Sequence, residues 1–139
     1  MRVMRGWPVF VLMVSALIAG CRSVNTQTPA LIEYQRSGGI AGQTIRLVVQ
    51  DNGAARLSTL RDSTNLTIGA DMLERLKNLV QSVRFDTLRA EYRPSHPGAD
   101  LFEYILTHRG RRVRLQDGAI PAELQPLIDL LNGLVRPRR

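Results

Sequence analysis

Thr44-Ile45-Arg46-Leu47-Val48-Val49-Gln50-Asp51-Asn52-Gly53-Ala54-Ala55-Arg56-Leu57-Ser58-Thr59-Leu60 is the stretch that decides the fold class. Ile45, Leu47 and Val49 fall on every second position with Arg46 between them, the period of a strand with one buried face. Asp51-Asn52-Gly53 is a hairpin signal, since Asp and Asn bond their own backbone and Gly reaches positive φ without steric cost. Ala55, Leu57 and Thr59 then line the same face of a return strand ending at Leu60. A hairpin with one apolar face needs a cover, and the flanking sequence supplies further strands and two helices.

On the N-terminal side, Leu31 to Ser37 forms a first strand with Ile32 and Tyr34 on one face. It runs into Gly38-Gly39-Ile40-Ala41-Gly42, whose three glycines permit positive φ or close backbone approach. On the C-terminal side, Arg61 to Thr67 reads as a polar connection to a helix over about Ala70–Val83. Leu73, Leu76, Val80 and Val83 form its apolar face, widened by Met72 and Leu79, while Glu74, Arg75, Lys77 and Asn78 are solvated. Phe85 and Leu88 plug the edge of the core. Arg93 to Ala99 holds two prolines and a glycine and reads as a loop. Phe102, Tyr104 and Leu106 alternate on the next strand, Thr107 to Gly110 turns the chain, and Val113 and Leu115 face inward with Arg112 and Arg114 outward. The last helix carries Leu124, Leu127, Ile128, Leu131 and Leu134, with a short turn at Pro121 and regular helix from near Pro126. The order β-β-β-α-β-β-α predicts an α+β domain, an antiparallel sheet of about five strands with both helices on one face.

The chain has 139 residues, 19 Lys and Arg against 12 Asp and Glu, a formal charge of +7 and a single cysteine. One cysteine excludes an intrachain disulfide and any cysteine-based zinc site. Residues 1–20 open with Met1-Arg2-Val3-Met4-Arg5, followed by fifteen uncharged residues from Gly6 to Gly20. As a helix these fifteen reach about 22 Å, short of the roughly 30 Å hydrocarbon core, so a secretory signal fits better than a membrane span. Ile18-Ala19-Gly20-Cys21 resembles the lipobox of bacterial lipoproteins. The resemblance implies cleavage between Gly20 and Cys21 and lipid on the Cys21 thiol; the alternatives are a plain secreted protein with an incidental cysteine, or a buried thiol. Residues 21–29 then read as a polar tether, 30–135 as the folded domain and 136–139 as a basic tail. Arg22 in place of an acidic residue points to the outer membrane in an organism with two membranes, and otherwise to the outer face of the cell membrane.

Catalytic and metal-binding patterns are absent from the sequence. His96 and His108 fall in separate loops, outside any H-x-x-x-H or H-E-x-x-H pattern, and Ser95 beside His96 lacks a G-x-S-x-G elbow. Glu91 and Asp100 flank the proline-rich loop as solvated charges. Gly38 to Gly42 lacks the lysine and hydroxyl of a phosphate-binding loop. No catalytic residue, metal ligand or cofactor is assigned. Arg109, Arg111, Arg112 and Arg114 cluster on one hairpin, and Arg136, Arg138 and Arg139 end the chain. Such groups attract phosphates without reading sequence, but an export signal argues against nucleic acid, and anionic lipid or wall polymers are the nonspecific alternative.

The chain over about residues 31–135 resembles the emfourin family, small bacterial proteins whose named member inhibits thermolysin-like zinc metalloproteases. The residues that carry the resemblance are Arg36-Ser37-Gly38-Gly39-Ile40-Ala41-Gly42, with Ile40 where the family often has an aromatic; the Leu73–Phe85 helix with its terminal Val-x-Phe; Gly98-Ala99-Asp100-Leu101-Phe102-Glu103-Tyr104; Arg112-Val113-Arg114-Leu115; and the Pro121, Leu124, Pro126, Leu127 ending. It implies a noncatalytic domain that occupies a metalloprotease cleft. With the lipobox, the expectation is a lipid-anchored envelope protein acting as a binding module or inhibitor of an exported protease of the protealysin and thermolysin kind. The alternative is an envelope lipoprotein that binds another protein or a wall component and inhibits nothing. Gly38, Gly39, Ile40, Ala41 and Gly42 are the expected contact loop, helped by Arg93–Ala99, with Arg109 and Arg112 assisting encounter. Ile40 is either the anchor of that contact or a residue that closes the core beneath the turn. Oligomeric state and partner identity stay open.

Overall fold

A computed structural model describes residues 29–39, 42–96, 98 and 100–136. The elements are β1 (Ala30–Gly38), β2 (Gln43–Gln50), β3 (Ala54–Thr59), β4 (Ser63–Thr67), α1 (Ala70–Ser82), β5 (Glu91–Tyr92), β6 (Phe102–His108), β7 (Arg111–Gln116) and α2 (Gln125–Val135). They form an α+β fold around one sheet of order β4-β3-β2-β1-β6-β7-β5. The sheet has seven strands rather than about five, and it is mixed. Every neighbouring pair is antiparallel except β5 and β7.

Both extra strands are edges, where sequence patterning is weakest. β4 lies inside the segment expected to be a polar connection. An edge strand buries little, so Leu66 alone carries its apolar side. β5 is two residues long, too short to show a period, and is held where Arg114 N–H donates to the Ala90 carbonyl at 2.9 Å. The β6–β7 turn is tighter than expected. His108 stays on the strand opposite Arg111, leaving Arg109-Gly110 as a two-residue turn with φ +47° and +79°. Positive φ at both central residues is the geometry that follows the natural twist of a hairpin.

The inner face of the sheet and both helices share one core. Tyr34 on β1 sits between Leu47 of β2 and Leu106 of β6, and Leu106 in turn faces Val113 of β7. Leu76 and Val80 of α1 and Leu127, Ile128 and Leu131 of α2 pack into the same cluster. Pro126 falls in the first turn of α2, where its missing N–H has no helical acceptor to lose. The opposite face is open and charged: Arg46 pairs with Glu33 at 2.8 Å, and Arg114 lies 3.8 and 3.7 Å from Glu91 and Glu103. Several apolar assignments change. Met72 is exposed rather than a widening of the α1 core face, and Ile45, Leu57, Leu73, Leu79, Phe102 and Leu134 pack against the core half-buried rather than enclosed.

Candidate functional site

Gly38 and Gly39 make the tight junction between β1 and the glycine-rich turn. A Cβ on Gly38 would meet the Leu101 carbonyl oxygen at 2.5 Å, and one on Gly39 would touch the Phe102 ring at 2.9 Å; both residues hold positive φ. The segment thus needs glycine for space as well as for φ. Gly42 N–H donates to the Gly39 carbonyl at 3.0 Å, closing the turn. Ile40 and Ala41 lie between these two anchors and outside the described residues, as do Gly20, Cys21, Pro97 and Ala99.

A polar and aromatic column supports that turn from below. Arg36 sits on the core-facing side of β1, two residues past Tyr34, with its guanidinium 5.1 Å from the Phe102 ring centroid. Phe102 adjoins Tyr104 at 6.4 Å, and Tyr104 stacks on Tyr34 at 6.3 Å. Asn132 of α2 accepts from both the Tyr34 hydroxyl and Arg36 Nη1, each at 2.8 Å, through its Oδ1. Asp117 accepts from the Phe102 N–H at 2.9 Å and the Tyr104 hydroxyl at 2.8 Å. Burial pushes the Tyr104 hydroxyl up to about 12, with the Asp117 hydrogen bond adding to it. Burial raises Tyr34 as well, against the opposing charge of Arg36. These tyrosines are therefore neutral hydrogen-bond donors at physiological pH, which suits scaffolding rather than proton transfer.

Arg109 and Arg112 do not join the glycine turn. Gly38 pairs with Phe102 at one end of β6, while Arg112 pairs with Thr107 five residues further along. At about 3.4 Å per residue, that is roughly 17 Å away. Arg109 is the residue at positive φ in the opposite turn, and Arg112 is exposed on the open face of the sheet. The histidines are equally separate. His108 Nδ1 meets the Leu31 carbonyl at 2.7 Å and its ring packs 5.1 Å from Phe85, a structural setting. His96 Nδ1 and Ser95 Oγ are 3.1 Å apart in an exposed position, and among the described residues no carboxylate bonds that ring. No group of three or more His, Cys, Asp or Glu that could hold a metal occurs among the described residues, and no helix among them is long and apolar enough to cross a membrane.

Beside the glycine turn, starting at Gln43 and Thr44, a groove of about 1980 Å³ opens between the inner face of β2–β4 and the two helices. Its floor is apolar, with Ile45, Leu57 and Leu66 from the sheet and Leu130 and Leu134 from α2. Leu60, 78% exposed, and Met72, 39% exposed, stand in its lining. Small-molecule sites usually occupy about 300–1,000 Å³, so an open trough of this size suits a larger partner. Sequence reading missed it because half-burial gives the same alternation as full burial. The one available signal was Leu66 and Ile68 alternating across Asn65 and Thr67, which marks β4 and the end of the groove.

No family model matches the chain, and no curated protein matches it.

Proposed function

We propose that this chain is a lipoprotein tethered through Cys21 to the cell envelope, with its α+β domain acting as a noncatalytic binding module that inhibits an exported thermolysin-like zinc metalloprotease. The tether places the domain on the outer membrane where two membranes exist, and otherwise on the outer face of the cell membrane. The supporting observation is the anchored glycine turn. Gly38 and Gly39 are wedged against Leu101 and Phe102, the Gly42-to-Gly39 hydrogen bond closes the turn, and the Arg36–Asn132–Tyr34 contacts brace its base. A contact segment whose flanking residues are held before binding loses less conformational entropy when it enters a concave cleft, which is how preorganised inhibitors keep their affinity. Ile40, between Gly39 and Gly42 in the sequence, is the apolar residue of this segment that would fill a subsite.

The test is a titration of the chain against an exported metalloprotease from the same cells, with wild type, Ile40→Ala and Arg109→Ala/Arg112→Ala compared. Competitive inhibition is expected, weakened by about tenfold or more in Ile40→Ala with an unchanged circular dichroism spectrum. The arginine pair sits at the far end of the sheet, so its loss leaves the inhibition constant close to wild type and changes only the salt dependence of the on-rate. Absence of inhibition across such proteases removes the inhibitor reading. A second reading, a tethered module that captures another envelope protein or a wall component without inhibiting a protease, draws on the groove rather than on the turn.

A further inference from the structure

We propose that β4 and the groove beside it form a strand-addition site for an extended segment of a protein partner, apolar at alternate positions and carrying acidic residues. The site is separate from the glycine turn and goes beyond the function proposed above. In the β3–β4 ladder, Thr59 N–H donates to the Asp62 carbonyl at one end and Ile68 N–H to the Gly53 carbonyl at the other. Antiparallel pairs alternate between bonded and non-bonded, so Leu57–Thr64 and Ala55–Leu66 are the bonded pairs between these ends. The N–H and C=O groups of Ser63, Asn65 and Thr67 therefore point away from β3; Ser63 N–H donates to Asp62 Oδ1 at 2.7 Å, and among the described residues no strand takes those of Asn65 and Thr67. Natural edge strands are commonly blocked by proline, lysine or an inward charge. Ser63-Thr64-Asn65-Leu66-Thr67 has none of these.

A strand added to β4 continues the sheet. Alternate side chains of the added segment then extend the apolar inner face beyond Leu66 at the open side of the trough, the two-residue period by which such partners are read. The charge around the trough favours acidic residues in that segment, with Arg61 beside the start of β4. Arg61, Arg75 and Arg136 line it and are exposed, and with Arg36 they make no ion pair among the described residues. Asp71 and Asp129 are the acidic residues of the same lining, and Asp129 accepts from Gln125 Nε2 at 3.0 Å. The balance is positive, which favours an acidic segment in both encounter and register. A second copy of this chain would bring the same excess of arginine. An acyl chain could use the floor but not the outward row of main-chain donors and acceptors.

The full chain, held in phosphatidylcholine nanodiscs, is titrated with fluorescein-labelled peptides of about ten residues that alternate leucine or valine with threonine and end in glutamate. Lysine-ended and fully N-methylated sets serve as comparisons. The glutamate set is expected to saturate the protein, with affinity about tenfold or more lower for the other two sets and for Arg61→Glu/Arg75→Glu protein. Amide exchange at Asn65 and Thr67 slows on binding. Absence of saturable binding, or equal affinity for N-methylated and unmodified peptides, overturns the proposal. Displacement of the peptide by oleate, or a stable dimer whose β4 amides are already protected, overturns it in favour of a lipid or a second copy. Protease inhibition lost in Ile40→Ala with peptide binding retained separates the two sites, and peptide binding lost with inhibition retained removes only this one.

Discussion

The inner face of the sheet carries the same alternation from one edge to the other, yet one corner of it ends in a different environment from the rest. Tyr34, Leu106, Val113 and Leu115, on β1, β6 and β7, are sealed beneath the helices. On β2 and β3, Leu47, Val49 and Ala55 are buried just as deeply, but Ile45, Leu57 and Leu66 of β2, β3 and β4 follow the same period and are only half-buried, facing the groove. Cover, and not strand chemistry, makes the difference. The cover closes over Leu47, Val49 and Ala55 and leaves the corner at Ile45, Leu57 and Leu66 open to the groove. Strand alternation thus specifies which side chains point inward, and the reach of the helices specifies which of them become core.

The sharpest way to break this contrast is a pair of truncations. Leu106→Ala, at a fully buried position, is expected to cost about 3–5 kcal/mol, and Leu66→Ala, on the groove floor, about 1 kcal/mol. Urea unfolding midpoints measure both, and equal losses would show that the groove corner is as tightly covered as the rest of the sheet. A smaller effect comes from pH. Tyr104 is raised to about 12 in the folded state against an ordinary value near 10, so its contribution to stability is complete below about pH 10 and is lost as pH rises toward 12. Tyr34, raised in the same direction, adds to the loss at high pH. Denaturation at pH 8 and pH 11 is expected to show this drop, and Tyr104→Phe to reduce it. A variant that keeps the full drop would place its origin outside the aromatic column. The smallest effect is Arg109→Gly. Arg109 holds φ +47°, a conformation in which a Cβ is unfavourable, and its removal is expected to stabilise the domain by about 1 kcal/mol or less. A loss of stability would mean that the Arg109 side chain makes contacts that outweigh its backbone strain.

Much of the fold was legible along the chain because its strongest signals are local. The β2–β3 hairpin, the extent of α1 to within a residue, the start of α2 around Pro126 and the inward positions of Ile32, Tyr34, Leu47, Val49, Tyr104 and Leu115 all follow from periodicity and turn chemistry. The edge strands were hidden for a physical reason: β4 is polar because one side meets solvent, and β5 is held by a single neighbouring strand rather than by its own pattern. The glycine turn was visible as composition, but its braces were not. Arg36, Asn132 and Asp117 read as ordinary polar residues, and they meet the aromatic column only because β1, β6 and α2 converge from distant parts of the chain.

By itself the sequence determined the α+β class, the alternation of the strands, the turn at Asp51–Gly53, a reversal within Thr107–Gly110 and the need for two covering helices, since each depends on residues close together in the chain. Tertiary structure decided the rest. It separated Arg109 and Arg112 from Gly38, Gly39 and Gly42 by the length of β6, because β6 runs antiparallel to β1 and the turn that ends β6 lies at the opposite end of the sheet from the turn that ends β1. It also left Ile45, Leu57 and Leu66 beneath an open trough beside an unpaired edge, because helix length and placement, unlike alternation, fix how far the cover extends.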